Sequence, residues 1–260
     1  LDGEDSIRSP MKPAVEAAVF RDLTFRFPDA DENALTDLNF ICRKGETTAV
    51  IGGTGSGKST IAKLLLRFHD VTEGSIFVGG ADVRIAQNEL RSRISYVPQK
   101  AWLFSGTIAD NLCYGNENAS EREMRRILSV AQADFVSSLA NGLDAHVAQG
   151  GTNYSGGQKQ RLCIARALMK KADLYIFDDS FSALDFKTDA ALRKALKEEV
   201  ADAAVLIIAQ RINTILNADQ ILVLDEGRIV GIGRHEDLIE NCPVYREIAR
   251  AMGVEGVEVG

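Results

Sequence analysis

The sequence predicts an α/β domain built on a largely parallel sheet. Three short apolar segments, at 47–51, 174–177 and 203–209, are rich in β-branched or bulky residues and are typical of buried strands. Helical patterns follow at 60–68 and 188–199. Strands that alternate with helices favour parallel pairing. The length of 260 residues fits one large domain or two modest ones.

The residues ahead of this sheet predict a β-rich flap. Leu23, Phe25 and Phe27 alternate with polar residues, which indicates a half-buried strand that stops at Pro28. Two more strands are predicted, at 38–42 and at 74–78, the second leading into the Gly79-Gly80 turn. The polar segment 1–14 is interpreted as a linker.

The middle of the chain predicts a helical insertion, and its end predicts a hairpin followed by helices. From about 108 to 169 the pattern is helical, with 121–132 as its clearest amphipathic stretch. Strands at 221–224 and 228–231 flank a turn at Asp225-Glu226-Gly227, and helices close the chain before a tail at 253–260.

Composition argues against several classes of protein. The net charge of -7 disfavours a generic nucleic-acid binder, so we expect no nucleic-acid partner. The four cysteines form no CxxC pair and the three histidines are isolated, which argues against a disulfide framework or a zinc site. No segment reaches the roughly 18 apolar residues that cross a bilayer. Because the first residue is Leu1 rather than Met, we expect a piece of a longer protein.

A glycine-rich loop at 52–59 carries the strongest chemical signal. It matches G-x-x-x-x-G-K-[ST] directly after a predicted strand and before a predicted helix, which is the context this motif requires. Backbone N–H groups and the helix N-terminus would surround the phosphates, Lys58 would reach the β- and γ-phosphates, and Ser59 would hold Mg²⁺. The predicted ATP-binding residues of this segment are Gly53, Thr54, Gly55, Ser56, Gly57, Lys58, Ser59 and Thr60.

A second glycine-rich helix start lies at Ser155-Gly156-Gly157-Gln158. Ser155 and Gln158 alone fit a capping box. A capping box does not explain two glycines in a first turn, each of which costs about 1 kcal/mol relative to Ala. Paired glycines indicate close approach to the backbone, and a helix N-terminus bared in this way suits an anion.

With both motifs in place, the chain resembles the ATP-binding cassette (ABC) family, whose signature reads LSGGQ, over about 17–252. It departs from the signature only at Tyr154. The resemblance implies an ABC-type P-loop ATPase at 15–252, with a RecA-like core, an antiparallel β subdomain and a helical subdomain inserted at about 100–165. It also implies ATP and Mg²⁺ as cofactors, and a head-to-tail dimer in which Ser155, Gly156, Gly157 and Gln158 bind the partner's ATP.

The resemblance assigns further roles. Phe27 matches the aromatic residue that stacks on adenine, although a core role stays open, and Asp185 matches the loop that crosses to the partner domain. Asp178 matches the Mg²⁺ carboxylate, and Gln99 matches the glutamine that contacts Mg²⁺ and the attacking water. The implied Mg²⁺ ligands are therefore Ser59, Gln99 and Asp178, and the implied catalytic residues are Asp179, Gln210 and Gln99.

Two of these catalytic positions depart from the family pattern. Asp179 stands where the family has Glu, and the shorter side chain withdraws the carboxylate by about 1 Å. Gln210 stands where the family has His, and an amide can neither carry a charge nor shuttle a proton as imidazole does. We expect slow hydrolysis at this chain's own site, although both residues as tolerated variants of a working site stay open.

These departures, with Gln149-Gly150-Gly151, resemble the degenerate-site subunit of heterodimeric bacterial multidrug exporters. The expected partners are a transmembrane domain and a second cassette with intact Glu and His, at the cytoplasmic face of the cell membrane. Trp102 and Phe104 are either core residues or a docking patch for that membrane domain. We expect a monomer without ATP. The alternatives are a regulatory ATP-binding module without useful hydrolysis and a soluble cassette protein that acts on DNA or ribosomes.

Overall fold

A computed structural model describes residues 16–85 and 87–254. The predicted linker at 1–14 and all but the first two residues of the predicted tail lie outside the described residues. The strands are β1 (Glu16–Phe25), β2 (Leu35–Arg43), β3 (Thr47–Gly52), β4 (Glu73–Val78), β5 (Ala81–Asp82), β6 (Ile94–Val97), β7 (Gly106–Thr107), β8 (His146–Val147), β9 (Leu174–Asp178), β10 (Ala204–Ile208), β11 (Gln220–Asp225) and β12 (Arg228–Gly233). The α-helices are α1 (Lys58–Leu65), α2 (Gln87–Arg93), α3 (Ile108–Cys113), α4 (Glu121–Val130), α5 (Gly156–Leu168), α6 (Phe186–Glu199), α7 (His235–Asn241) and α8 (Pro243–Ala251).

The central sheet has six strands in the order β12-β11-β3-β10-β9-β6. All neighbours pair in parallel except the hairpin of β11 and β12. Because side chains alternate across a strand, each strand feeds two cores. Ala49 and Ile51 belong to the core that includes helices α3 to α6, whereas Val50 packs with α1 and the N-terminal strands. The predicted α/β class with a largely parallel sheet is confirmed.

A separate antiparallel sheet has the order β2-β1-β4-β5. Its inner face joins the core around α1, and Phe20 on β1 stacks on Phe40 of β2 with ring centroids 4.0 Å apart. This is the flap that the N-terminal alternation predicted. Phe27 lies beyond the strand, because β1 ends at Phe25 and the Arg26 N–H donates to the side chain of Thr72 instead of to a strand.

The segment predicted to be helical throughout also contains strands and 3-10 turns. β7 pairs antiparallel with β8, and residues 134–138, 142–144 and 149–151 form 3-10 turns. The helix predicted at 60–68 is α1, which begins earlier, at Lys58, and ends at Leu65. It begins earlier because the last residues of the glycine loop form its first turn. The helix after the second glycine motif likewise begins at Gly156, because its cap is Ser155.

Candidate nucleotide site

Two glycines of the loop at 52–59 are required by the packing behind it. A Cβ added at Gly52 would lie 2.0 Å from the backbone oxygen of Leu224. At Gly57 it would lie 2.6 Å from Leu35 Cδ2, and the φ of 99° there also favours glycine. The loop is therefore held from behind by β11 and by the start of β2.

The other two loop glycines face open space. A Cβ at Gly53 or Gly55 would meet no atom of the described residues within 4 Å. Packing within the described chain therefore explains neither glycine, although the φ of 80° at Gly55 itself favours glycine. Gly53 leaves room for a phosphate against bare backbone N–H groups, and the N-terminus of α1 points to the same place.

Lys58 lies folded along the loop. Its Nζ donates to the carbonyl oxygens of Gly52 and Gly53, at 2.7 and 2.6 Å. Burial lowers the pKa of Lys58, while the charges of Asp178 and Asp179 oppose that shift. The ammonium thus lies between the loop and two carboxylates, where a nucleotide phosphate can replace its carbonyl partners. Ser59 is exposed beside it, and Thr60 is buried.

Asp178 ends β9 and is only 7% exposed. Burial raises its pKa, the hydrogen bond from Tyr96 lowers it, and the charge of Asp179 raises it. The Tyr96 hydroxyl donates to Asp178 Oδ2 at 3.1 Å. Burial and the neighbouring Asp178 in turn hold the pKa of Tyr96 above its usual range, so this hydroxyl stays a donor. The sequence patterns gave Tyr96 no role.

The oxygen donors present fit Mg²⁺ that is shared with a nucleotide. Ser59 offers a hydroxyl and Asp178 a carboxylate, both hard ligands of the kind Mg²⁺ takes. Among residues 16–85 and 87–254, no group of three or more His, Cys, Asp and Glu side chains forms a metal cluster. Mg²⁺ characteristically needs only one or two protein ligands when phosphates and water supply the rest.

The structure brings Gln99 and Asp179 together. Gln99 Nε2 donates to Asp179 Oδ2 at 3.3 Å, and the Asp179 N–H donates to the carbonyl of Ile208 on β10. Asp179 has a φ of 46°, in the left-handed region that Asp tolerates better than most residues. Gln210 follows β10 and is exposed.

Phe27 belongs to an aromatic cluster. Its ring makes edge contacts with Phe25 and with His69, with centroids 4.8 and 5.2 Å apart. Phe27 is half-buried, so one part of the ring supports the core and the rest faces solvent. Both readings of Phe27 fit this geometry. His69 was missed, because an isolated histidine carries no motif.

The second glycine motif forms a full capping box. Ser155 Oγ accepts from the Gln158 N–H at 3.3 Å, and Gln158 Oε1 accepts from the Ser155 N–H at 3.0 Å. The two glycines differ. A Cβ at Gly157 would lie 3.3 Å from the carbonyl oxygen of Ala183, whereas at Gly156 it would meet nothing within 4 Å among the described residues. Gly156 therefore presents a bare, exposed helix end.

Asp185 lies next to this region and caps α6. Its carboxylate accepts from the Thr188 N–H at 2.9 Å and from the Thr188 hydroxyl at 2.7 Å, and these bonds lower its pKa. A helix cap explains an Asp here. It also fixes the loop at 182–185, which contacts Gly157 through Ala183.

Gln149-Gly150-Gly151 has a packing explanation. A Cβ at Gly150 would lie 3.1 Å from the ring of Trp102, and one at Gly151 would lie 3.0 Å from Leu103 Cδ1. The glycines thus let the Trp102 segment lie close. Trp102 is still 45% exposed.

An open cavity of about 360 Å³ lies between the end of α1, β6 and α5. We call it the aromatic groove and define it by Leu66, Phe68, Tyr96, Tyr114, Arg166 and Lys170. Phe68 and Tyr114 are 57% and 65% exposed, and Phe104 packs on Tyr114 with centroids 4.4 Å apart. Motif analysis missed the groove, since no pattern joins residues so far apart in the chain.

A parallel sheet with a glycine loop and helix N-terminus after β3, and a buried carboxylate at the end of β9, defines a P-loop ATPase fold. Residues 35–182 match the family model described as ABC transporter. The chain belongs to the ABC transporter family. It is 44% identical, over its full length, to an uncharacterized ABC transporter ATP-binding protein of Mycobacterium bovis and spans 45% of that protein.

Two further relatives are named as a flippase and as an exporter. The chain is 41% identical over 91% of its length to the ATP-dependent lipid A-core flippase of Vibrio vulnificus and spans 41% of it. A solved bacterial Atm1-family ABC exporter with ATP bound superposes with a TM-score of 0.87 at 36% identity, over 96% of this chain and 45% of that one. The chain thus spans less than half the length of these relatives. No helix among the described residues is long and apolar enough to span a membrane.

Proposed function

We propose that this chain is the ATP-binding and ATP-hydrolysing domain of a multidrug or lipid exporter, working at the cytoplasmic face of a bacterial membrane. The observation that carries this proposal is the loop at 52–59. It has two glycines fixed by packing, two open to a ligand, and Lys58 between the loop and Asp178. The names of two relatives, one a lipid A-core flippase and one an ABC exporter, support the transport role.

The exposed end of α5 supports a composite site. Gly156 is bare, and nothing in the described chain requires a glycine there. A phosphate held by a second copy of the fold would use that helix end, as an anion does. ATP would then lie between the loop at 52–59 of one cassette and Ser155-Gly156-Gly157-Gln158 of the other.

The chain's own site is proposed to be degenerate. The Asp179 carboxylate is bonded to Gln99 and sits on a shorter side chain than Glu. Gln210 offers no ionisable group to the γ-phosphate. A partner cassette with intact Glu and His would then supply the faster site, completed by Ser155-Gly156-Gly157-Gln158 of this chain.

The membrane domain is proposed to dock in the aromatic groove. Exposed Phe68 and Tyr114 offer apolar area for a helix end. Arg166 lies over the Phe104 ring, 5.3 Å from its centroid, and its Nη2 donates to the Trp102 carbonyl, so one wall of the groove is held in place.

A calorimetric titration tests nucleotide binding. The chain should bind Mg·ATP, and Lys58→Ala should weaken binding at least about 10-fold, because a hydrogen-bonded charge on phosphate contributes about 1.5–3 kcal/mol. Lys171→Ala, at an exposed lysine, is the matched control. If the wild-type chain does not bind Mg·ATP, the proposal is wrong.

Steady-state hydrolysis separates the degenerate exporter subunit from a purely regulatory module. The chain alone should turn over weakly, and activity should appear when a second cassette with intact Glu and His is added. A family-typical rate from the chain alone contradicts the degenerate site. No activity in any mixture favours the regulatory module, for which Asp179 and Gln210 are the supporting observation.

A further inference from the structure

Tyr96 contributes both to the surroundings of the Asp178 carboxylate and to the aromatic groove. Its hydroxyl donates to Asp178 Oδ2 at 3.1 Å, and the residue also lines the aromatic groove. β6 pairs in parallel with β9, and Tyr96 lies opposite Ile176. Side chains two apart on a strand share a face, so Asp178 points to the same side as Ile176 and reaches the hydroxyl of the neighbouring strand.

We propose that Tyr96 is a positioning residue that links the aromatic groove to the magnesium carboxylate. Its hydroxyl orients Asp178 for Mg²⁺, and its side chain lines the groove in which the membrane domain is proposed to dock. This inference rests on the proposed function and adds to it a connection that does not pass through Gln99.

The hydroxyl of Tyr96 makes the hydrogen bond that orients the Asp178 side chain. It is the only side chain of the described residues that hydrogen-bonds the Asp178 carboxylate, whereas Lys58 and Lys63 act on it only through charge. A partner that orients a metal-ligating carboxylate typically changes metal affinity 10- to 100-fold when removed. Tyr96 is also part of the aromatic groove, because the exposed side chains of Phe68 and Tyr114 line the same cavity as Tyr96.

The first test separates Mg²⁺ from nucleotide. ATP is titrated into the chain with Mg²⁺ and with EDTA, for wild type, Tyr96→Phe and Tyr175→Phe. Tyr175 is the matched control, because its hydroxyl on adjacent β9 donates to the Lys170 carbonyl and not to Asp178. Tyr96→Phe should bind Mg·ATP about 10-fold more weakly and Mg-free ATP as wild type does. Tyr175→Phe should match wild type in both titrations.

Equal Mg·ATP affinity in Tyr96→Phe and wild type overturns the inference and leaves the proposed function standing. Absence of Mg·ATP binding in wild type removes both.

The second test addresses the groove in the assembled transporter. The Mg²⁺ concentration that half-saturates ATP hydrolysis is measured for Tyr96→Phe, Phe68→Ser and the double variant. Residues in one contact network typically couple by at least 0.5 kcal/mol, so the two changes should deviate from additivity by about 2-fold or more. Additive effects overturn the link to the groove.

Discussion

Gln99 Nε2 lies 3.3 Å from Asp179 Oδ2, and this hydrogen bond joins the segment after β6 to the segment after β9 at the proposed site of hydrolysis. The hydrogen bond to Gln99 holds the Asp179 carboxylate near β9. The longer side chain of a glutamate would place its carboxylate farther from the strand. The distance from a base to its proton governs transfer, which needs about 2.6–3.2 Å between heavy atoms.

Asp179→Glu combined with Gln210→His should raise the turnover of this chain's site in the assembled dimer. A gain of about 10- to 100-fold is expected, since a misplacement of about 1 Å costs up to about 10²-fold. Single-turnover hydrolysis in a dimer whose partner site is inactivated measures it. Asp179→Asn with Gln210→His is the control and should give no gain. A turnover unchanged from wild type would show that these two positions do not limit the site.

Gly156→Asp should block the composite site without harming the fold. The Cβ meets no neighbour, and an acidic residue in the first turn of α5 stabilises a helix by about 0.3–1 kcal/mol. The same charge repels a phosphate, so ATP-dependent dimerisation with the second cassette should weaken at least about 10-fold, whereas the chain's own Mg·ATP affinity stays constant. Analytical ultracentrifugation with and without Mg·ATP measures it. Thr152→Asp, at an exposed position nearby, should dimerise as wild type does.

Asp178→Asn should stabilise the fold while abolishing Mg²⁺-dependent hydrolysis. Burial raises the folded pKa of Asp178 above its ordinary value of 3.8, so the folded chain binds this proton more tightly than the unfolded chain. The contribution of Asp178 to the free energy of unfolding therefore falls as the pH rises from about 3.8 through the raised folded pKa. The variant should gain about 1 kcal/mol at neutral pH, because it removes a buried charge that is kept for function.

Urea unfolding at about pH 7.5 and about pH 4 checks this, and the gain should shrink at the lower pH, where Asp178 approaches protonation in both states. Asp202→Asn, at an exposed site, serves as the control. A gain that is the same at both pH values would contradict burial of the charge as its cause.

Phe27→Leu should separate stacking from core packing. Leucine keeps apolar contact with Phe25 and removes the aromatic face, and base stacking on an aromatic ring contributes about 1–3 kcal/mol. ATP affinity should fall about 5- to 100-fold at nearly constant stability. Calorimetry and thermal unfolding together measure the two effects, with Phe27→Tyr expected to bind as wild type does. Loss of stability at unchanged affinity would assign Phe27 to the core alone.

Strands β3, β9, β10 and β11 were predictable because each is a short apolar run buried on both faces. Strand β12, whose side chains are exposed or half-buried, was predicted from the turn at 225–227, and β6 was not predicted. Phe27 continued the alternation of β1, yet the strand ends before it because Thr72 takes the Arg26 N–H. The pairing of β7 with β8 joins two-residue strands about 40 residues apart, too short for any period to indicate. The glycine motifs located the proposed site from local spacing alone. The aromatic groove was not predictable, since Phe68 and Tyr114 meet only through the tertiary fold.

The turn at 225–227 touches the phosphate-binding loop and the antiparallel sheet together. The Gly227 N–H donates to the Ser56 carbonyl at 3.2 Å, and the Gly227 carbonyl accepts from the Thr36 N–H at 2.8 Å. With Leu224 pressed against Gly52, the loop keeps its curvature before any ligand arrives, so capture of ATP has little chain entropy to overcome. We therefore expect substitutions in that turn to change ATP affinity through the shape of the loop.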